Sequence, residues 1–212
     1  MFIELLDLLR CTNTHEDTWL VAAFKNVSNR FVLEATLGCP TCSAQYPIKN
    51  GVADFGGGAA SASRAPGRTE TSQQREELAT RAGAFLNATE PGATVILGGT
   101  WAEAAQELSV IGETRVLALN APAGVEDSET VGLLRVASRI PVAPGSMLGA
   151  ALDESFPSEI IASAVKAVRA GGRIVGPMSI EPPKELAVLA RDADYWVAEK
   201  APAVIKLSRA GR

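Results

Sequence analysis

The sequence predicts an α/β protein in two modules: a doubly wound sheet of seven strands covered by helices on both faces, preceded by a small β-rich unit. Three observations carry this. From residue 75 onward, short β-branched runs alternate with segments of helical periodicity. Residues 56–74 (GGGAASASRAPGRTETSQQ) hold almost no large apolar side chain, so they cannot recover the entropy of ordering and read as a flexible tether. The first 55 residues hold all three cysteines and the only histidine of the 212-residue chain.

The amino-terminal module is expected over residues 1–55, the tether over 56–74 and the α/β domain over 75–212. Residues 2–10 (FIELLDLLR) form a short apolar stretch that packs against the module or supplies a dimer contact. Residues 19–24 and 30–37 are rich in β-branched and aromatic side chains, and residues 26–29 between them supply turn chemistry, so they predict a hairpin. Trp19, Phe24 and Phe31 are expected to form its core. Residues 46–55 (YPIKNGVADF) predict an edge strand with a turn at Asn50 and Gly51.

Cys11, His15, Cys39 and Cys42 make two close pairs, Cys-x3-His and Cys-x2-Cys, flanking the hairpin. In a reducing compartment such pairs favour a metal over a disulfide, and four N/S ligands in two knuckles suit a structural Zn2+ in a zinc ribbon. Four protein ligands leave no open position for catalysis. The usual second cysteine of the first knuckle is replaced by Thr14, with His15 one residue later. A metal-free ribbon with His15 on the surface is therefore the competing reading.

In the α/β domain, helices are expected over 76–86, 101–108, 157–170 and 183–190. Strands are expected over 94–97, 114–119, within 131–137, and over 148–152, 173–175, 194–199 and 203–208. Gly171 and Gly172 mark the turn into the fifth of these strands. Tyr195 and Trp196 alternate on the sixth, so one faces the core and the other solvent or a partner.

Composition narrows the function classes. A net charge of -4 with scattered basic residues offers no stripe for nucleic acid. No run of 18 apolar residues exists and the first seven residues are acidic rather than basic, so the expectation is a cytoplasmic protein. Gly98-Gly99-Thr100 has neither dinucleotide nor P-loop spacing. The plainest reading of the glycines is a tight strand-to-helix turn with Thr100 as N-cap. Asp153 and Glu154 end the fourth strand as either a solvated pair or a general base.

With LLDLLRC at its start, GCPTC in the middle and YPIKNGVADF at its end, the amino-terminal quarter resembles the short zinc-ribbon proteins that bind and activate methyltransferases, and ribbons fused to bacterial methyltransferases. The run PSEIIASAVKAVRAGGRIVGP (residues 157–177) resembles the helix, glycine turn and fifth strand of the class I S-adenosylmethionine-dependent methyltransferases, a Rossmann-like fold. That resemblance implies a methyl-donor site in which three spaced glycines follow the first strand and an acidic residue ends the second.

This chain departs from the pattern at both places. Gly99 can stand for the first glycine, but Trp101 and Glu103 fall where the other two belong, so an indole is expected in the donor's approach path. Asn120 replaces the carboxylate at the end of the second strand. Gly98, Gly99 and Asn120 are donor-binding candidates only if the fold keeps its ancestral activity. The sequence therefore favours a pseudoenzyme: a non-catalytic, zinc-binding interaction protein that docks onto another protein or a larger assembly, with a homo-oligomer as a further option. The alternative is a methyltransferase with an atypical cofactor loop.

Overall fold

The computed structural model describes residues 1–56 and 71–202. The amino-terminal part supplies β1 (Val21–Ser28), β2 (Phe31–Gly38), β3 (Gln45–Lys49) and β4 (Val52–Phe55). The remainder supplies β5 (Thr94–Gly98), β6 (Arg115–Leu119), β7 (Val131–Val136), β8 (Met147–Ala151), β9 (Val168–Pro177), β10 (Leu186–Arg191) and β11 (Tyr195–Lys200). Helices α1 (Ser72–Leu86), α2 (Ala105–Ile111) and α3 (Ser158–Ala167), with 3-10 turns at Ile3–Leu8 and Gly99–Ala104, complete the described elements.

All eleven strands form one sheet, in the order β1-β2-β3-β4-β7-β6-β5-β8-β9-β11-β10. The expected seven-stranded sheet is therefore too small. The reason lies in β7, which the order would otherwise leave as an edge with a row of unpaired backbone groups. Instead β4 pairs with it in parallel, from Val52 opposite Leu133 to Phe55 opposite Val136. The central strands β7-β6-β5-β8-β9 follow the 3-2-1-4-5 order of a doubly wound fold. An antiparallel pair, β11 and β10, closes the far side.

Successive residues of β5 point to opposite faces, as strand geometry requires. Val95 and Leu97 meet α1 and the Gly99–Ala104 turn through Ala79, Ala82, Leu86 and Trp101. Ile96 belongs to the other cluster, which runs without a break from Met1, Leu5, Val32 and Ile48 to Ile160, Val165 and Trp196. The two expected modules thus share a sheet and a core. The Met1 ammonium is buried against Asp127 and also donates to the Val32 carbonyl at 3.2 Å. Helix α1 opens on a capping box between Thr71 and Gln74 and ends at Asn87 in the left-handed region.

Several local expectations change. The turn between β1 and β2 sits at Asn29 and Arg30, with φ of 48° and 67°, at the end of the expected turn over 26–29 and one residue into the expected second strand. The turn at Asn50 and Gly51 is as expected, with φ of 50° and 77°. Residues 183–190 are not helical: after Pro182 and Pro183 the chain becomes β10, because β11 offers a free edge and only Leu186 needs burial. Helix α3 stops at Ala167, and β9 takes up Val168 to Gly172, where Gly172 lies against the Leu148 carbonyl too closely for any Cβ. Trp19 and Phe24 are 68% and 48% exposed rather than core, since β1 is the outermost strand. Phe31 is partly buried against Phe2, and Trp196 is fully buried, donating from Nε1 to the Ile180 carbonyl at 2.7 Å. The expected tether and the expected strand over 203–208 lie largely or wholly outside the described residues. No described helix is long and apolar enough to cross a membrane.

A shared core predicts one cooperative unfolding transition, with near-ultraviolet circular dichroism, far-ultraviolet circular dichroism and tryptophan fluorescence all changing at the same denaturant concentration. Two separated transitions would show that β1 to β4 fold independently of the remaining strands.

Candidate functional site

The four sequence-predicted metal ligands come together. Cys39 follows β2 and Cys42 precedes β3 in a tight knuckle, where the Cys39 amide donates to the Ala44 carbonyl at 2.8 Å and Ser43 adopts a left-handed φ of 59°. Cys11 and His15 arrive from the loop after the Ile3–Leu8 turn. One donor atom from each residue lies within 4.8 Å of the others. Cys11 Sγ is 3.6 Å from Cys42 Sγ and 3.2 Å from His15 Nε2, and Cys39 Sγ is 3.5 Å from His15 Nε2. A tetrahedral zinc with bonds of about 2.0–2.3 Å needs ligand edges of roughly 3.4–3.8 Å, so the donor set fits that ion.

Groups around the ligands prepare them for a cation. His15 Nδ1 lies 2.6 Å from the Glu16 carbonyl, and a proton held there leaves Nε2 free to ligate. The same bond is the main reason that the His15 pKa is raised. The Ala44 amide, the largest influence on Cys42, brings that thiol down to about 6, and Asn13 Nδ2 donates to its sulfur at 3.3 Å. Burial pushes the Cys11 thiol up, while the Tyr46 hydroxyl, 3.3 Å away, opposes it. Thr14, at the usual cysteine position, is not part of the cluster.

Sequence reasoning missed the supporting residues. Tyr46 also lies 3.1 Å from Thr12 Oγ1, and Arg139, from the loop after β7, donates to the Thr12 carbonyl at 3.0 Å. No sequence signal marked Arg139. The strand pairings also locate the knuckles: Gly38 pairs with Gln45 at the end of β3 that lies beside Phe55, and Phe55 pairs with Val136 at the carboxyl end of β7. The metal cluster therefore sits off the carboxyl edge of the parallel strands. Four strand spacings separate β3 from β5 in the sheet order, on the order of 20 Å.

The second candidate region is the crevice on that same edge, where β5 and β8 adjoin and the strand order reverses. Gly99 has a φ of +64°, and a Cβ there would run into the Asp153 carboxylate. Asp153 is only 6% exposed. Its Oδ2 accepts the Thr100 amide at 2.6 Å and the Thr100 hydroxyl at 2.8 Å; its Oδ1 accepts the Ser155 amide at 3.0 Å and the Ser155 hydroxyl. Four donors saturate a carboxylate. Thr100 is thus inside the 3-10 turn and bonded to Asp153 rather than acting as its N-cap, which is Gly98. Asp153 is not a solvated residue, whereas Glu154 is exposed.

Asn120 is equally committed. Its Nδ2 donates to the Val136 carbonyl at 3.0 Å and its Oδ1 accepts the Val136 amide at 2.9 Å, so the side chain extends the pairing of β6 with β7. Its φ of +48° is a backbone state that asparagine tolerates better than most residues. Trp101, expected in the donor's path, is instead 1% exposed, with Phe85 at 6.2 Å and Tyr195 at 5.0 Å between ring centroids. Its indole has turned into the core because α1 and β11 leave apolar space there. Tyr195 faces a cavity of about 280 Å³ that Thr100, Asp153, Glu154, Met178 and Asp194 help to line. Burial pushes its phenol pKa up.

No protein-family model matches the chain, and no curated protein matches it. Among solved structures it is similar to the MycE methyltransferase of the mycinamycin biosynthetic pathway, at 11% identity and a TM-score of 0.46 over 60% of this chain and 48% of that one. It is also similar to a putative sarcosine dimethylglycine methyltransferase from Galdieria sulphuraria, at 15% identity and 0.40 over 49% and 46%. A putative S-adenosyl-L-methionine-dependent methyltransferase from Methanococcus maripaludis matches at 8% identity and 0.42, over 66% of this chain and all of that one. The chain spans less than half the length of the first two.

Purified protein is expected to hold about one equivalent of zinc by elemental analysis, and Cys39→Ser or Cys42→Ser to lose most of it; full occupancy in both variants would refute the site. Asp153→Ala leaves Thr100 and Ser155 donors unmatched and is expected to destabilise by about 1–3 kcal/mol in a denaturant titration. An unchanged midpoint would mean that these bonds carry no weight.

Proposed function

We propose that this chain is a zinc-binding protein-interaction module built on a methyltransferase-like fold whose donor crevice is closed from within. The observation that carries the reading is the bonding of Asp153: a buried carboxylate occupies the amide and hydroxyl of Thr100 and lies against Gly99. Asn120, the only polar group at the end of β6, is spent on the Val136 backbone. A donor would have to displace saturated internal bonds and bury an anion beside its own carboxylate, a cost with no compensating partner. The amino-terminal strands and their metal cluster then resemble a methyltransferase-activator ribbon in role as well as in motif, docking the chain onto another protein.

A second reading, a methyltransferase with an atypical cofactor loop, is favoured by the 3-2-1-4-5 strand order and by the 280 Å³ cavity beside Asp153 and Tyr195. Isothermal titration with S-adenosylmethionine separates the two. The interaction module is expected to show no binding tighter than about 100 μM, or roughly -5.5 kcal/mol. Tighter binding would restore the enzyme.

A further inference from the structure

The largest accumulation of exposed apolar side chains among the described residues lies on one strand and its lead-in. Trp19, Val21, Phe24 and Val27 are each 43% to 68% exposed. Strand β1 is the outermost of the sheet, and its only strand partner among the described residues is β2. Trp19 pairs with Arg10 through an isolated bridge and stacks under its guanidinium at 4.8 Å. That bridge lies on the β2 side, because the neighbouring Cys11 joins the metal cluster formed by Cys39 and Cys42 after β2. The outer side from Trp19 to Phe24 is left open, with Asp17 in the lead-in at one end and Lys25 at a β-bulge at the other.

An open, apolar edge of this length is a pairing template unless charge guards it. The guard is Lys25, which makes no ion pair among the described residues. Asp17 makes none either; burial lowers the Arg10 pKa, and Asp17 is near enough to oppose that shift. The two charges stand four residues to either side of Val21. Antiparallel pairing of two copies about a twofold axis at Val21 sets Lys25 of each copy opposite Asp17 of the other. The same register sets Trp19 opposite Ala23 and Val21 opposite itself. The lysine that repels other strands thus accepts this one.

We propose that β1 is a homodimer interface: two copies join edge to edge through an isologous contact centred on Val21, continuing the sheet from one copy into the next. A second copy is the occupant because the strand's charge pattern is complementary to itself. The opposite edge differs, since Arg191 of β10 is already paired with Glu181 in its own chain. The dimer goes beyond docking to another protein and places the two metal clusters on either side of one continuous seam.

Sedimentation velocity on the full, zinc-loaded chain tests this with D17K, K25D and the double swap D17K/K25D, using circular dichroism and zinc content to verify folding. The wild-type chain is expected to dimerise. Each single reversal sets like charges opposite one another twice per dimer and is expected to weaken association by about tenfold or more; the double swap is expected to restore it. A monomeric wild-type chain at about 100 μM, single variants that dimerise normally, or a double swap without rescue would each overturn the interface. A wild-type monomer that instead binds a β-strand peptide from another protein would assign the edge to that partner.

Discussion

The parallel pairing of β4 with β7 is the constraint on which the remaining architecture rests. Without it, β7 would expose one side of its backbone, and β1 to β3 would have only their own small core. With it, Ala53 and Phe55 enter the same cluster as Leu134 and Val136, and the 3-10 turn at Ile3–Leu8 lies over that seam as part of the core. Arg139 and the Met1 ammonium add polar ties across it, to the Thr12 carbonyl and to Asp127. The Cys/His cluster is thereby held at the carboxyl edge of the larger sheet.

On that edge Asp153 and Asn120 are satisfied by the chain itself, whereas the buried Trp101 Nε1 has no partner among the described residues. Asp153 takes four donors, Asn120 takes both backbone groups of Val136, and the glycines at 98 and 99 make room for Leu152, Phe156 and Asp153. Glycine at both positions admits internal contacts that a Cβ would block. Near Tyr195 and Asp194 the cavity remains open, and its lining is acidic.

Legibility followed the range of the interactions. The Cys/His cluster that could hold a metal was readable because ligand chemistry and knuckle spacing are local; the αL turn at Asn50 and Gly51 was readable for the same reason. Strands β5 to β9 were legible as short apolar runs bounded by turn residues or helices. The segment 183–190 was misread because its apolar residues suit either period, and only the free edge of β11 decides for a strand. Trp19 and Phe24 looked like core because aromatic content reports a strand but not whether anything covers it. Trp101 was correctly placed after the glycines, yet which way its ring turns depends on the space between α1 and β11.

By itself, then, the sequence determined the α/β class, the pairing of Cys11 and His15 with Cys39 and Cys42 as a candidate metal set, and the glycine and asparagine departures at the ends of the first two parallel strands, because these depend on residue type and short spacing. The tertiary structure alone decided that the two modules share one sheet, that Asp153 is bonded to Thr100 and Ser155, and that β1 is the outermost strand. Each of these is a pairing between segments far apart in the chain, and the free energy that selects it appears only when both partners are present in space.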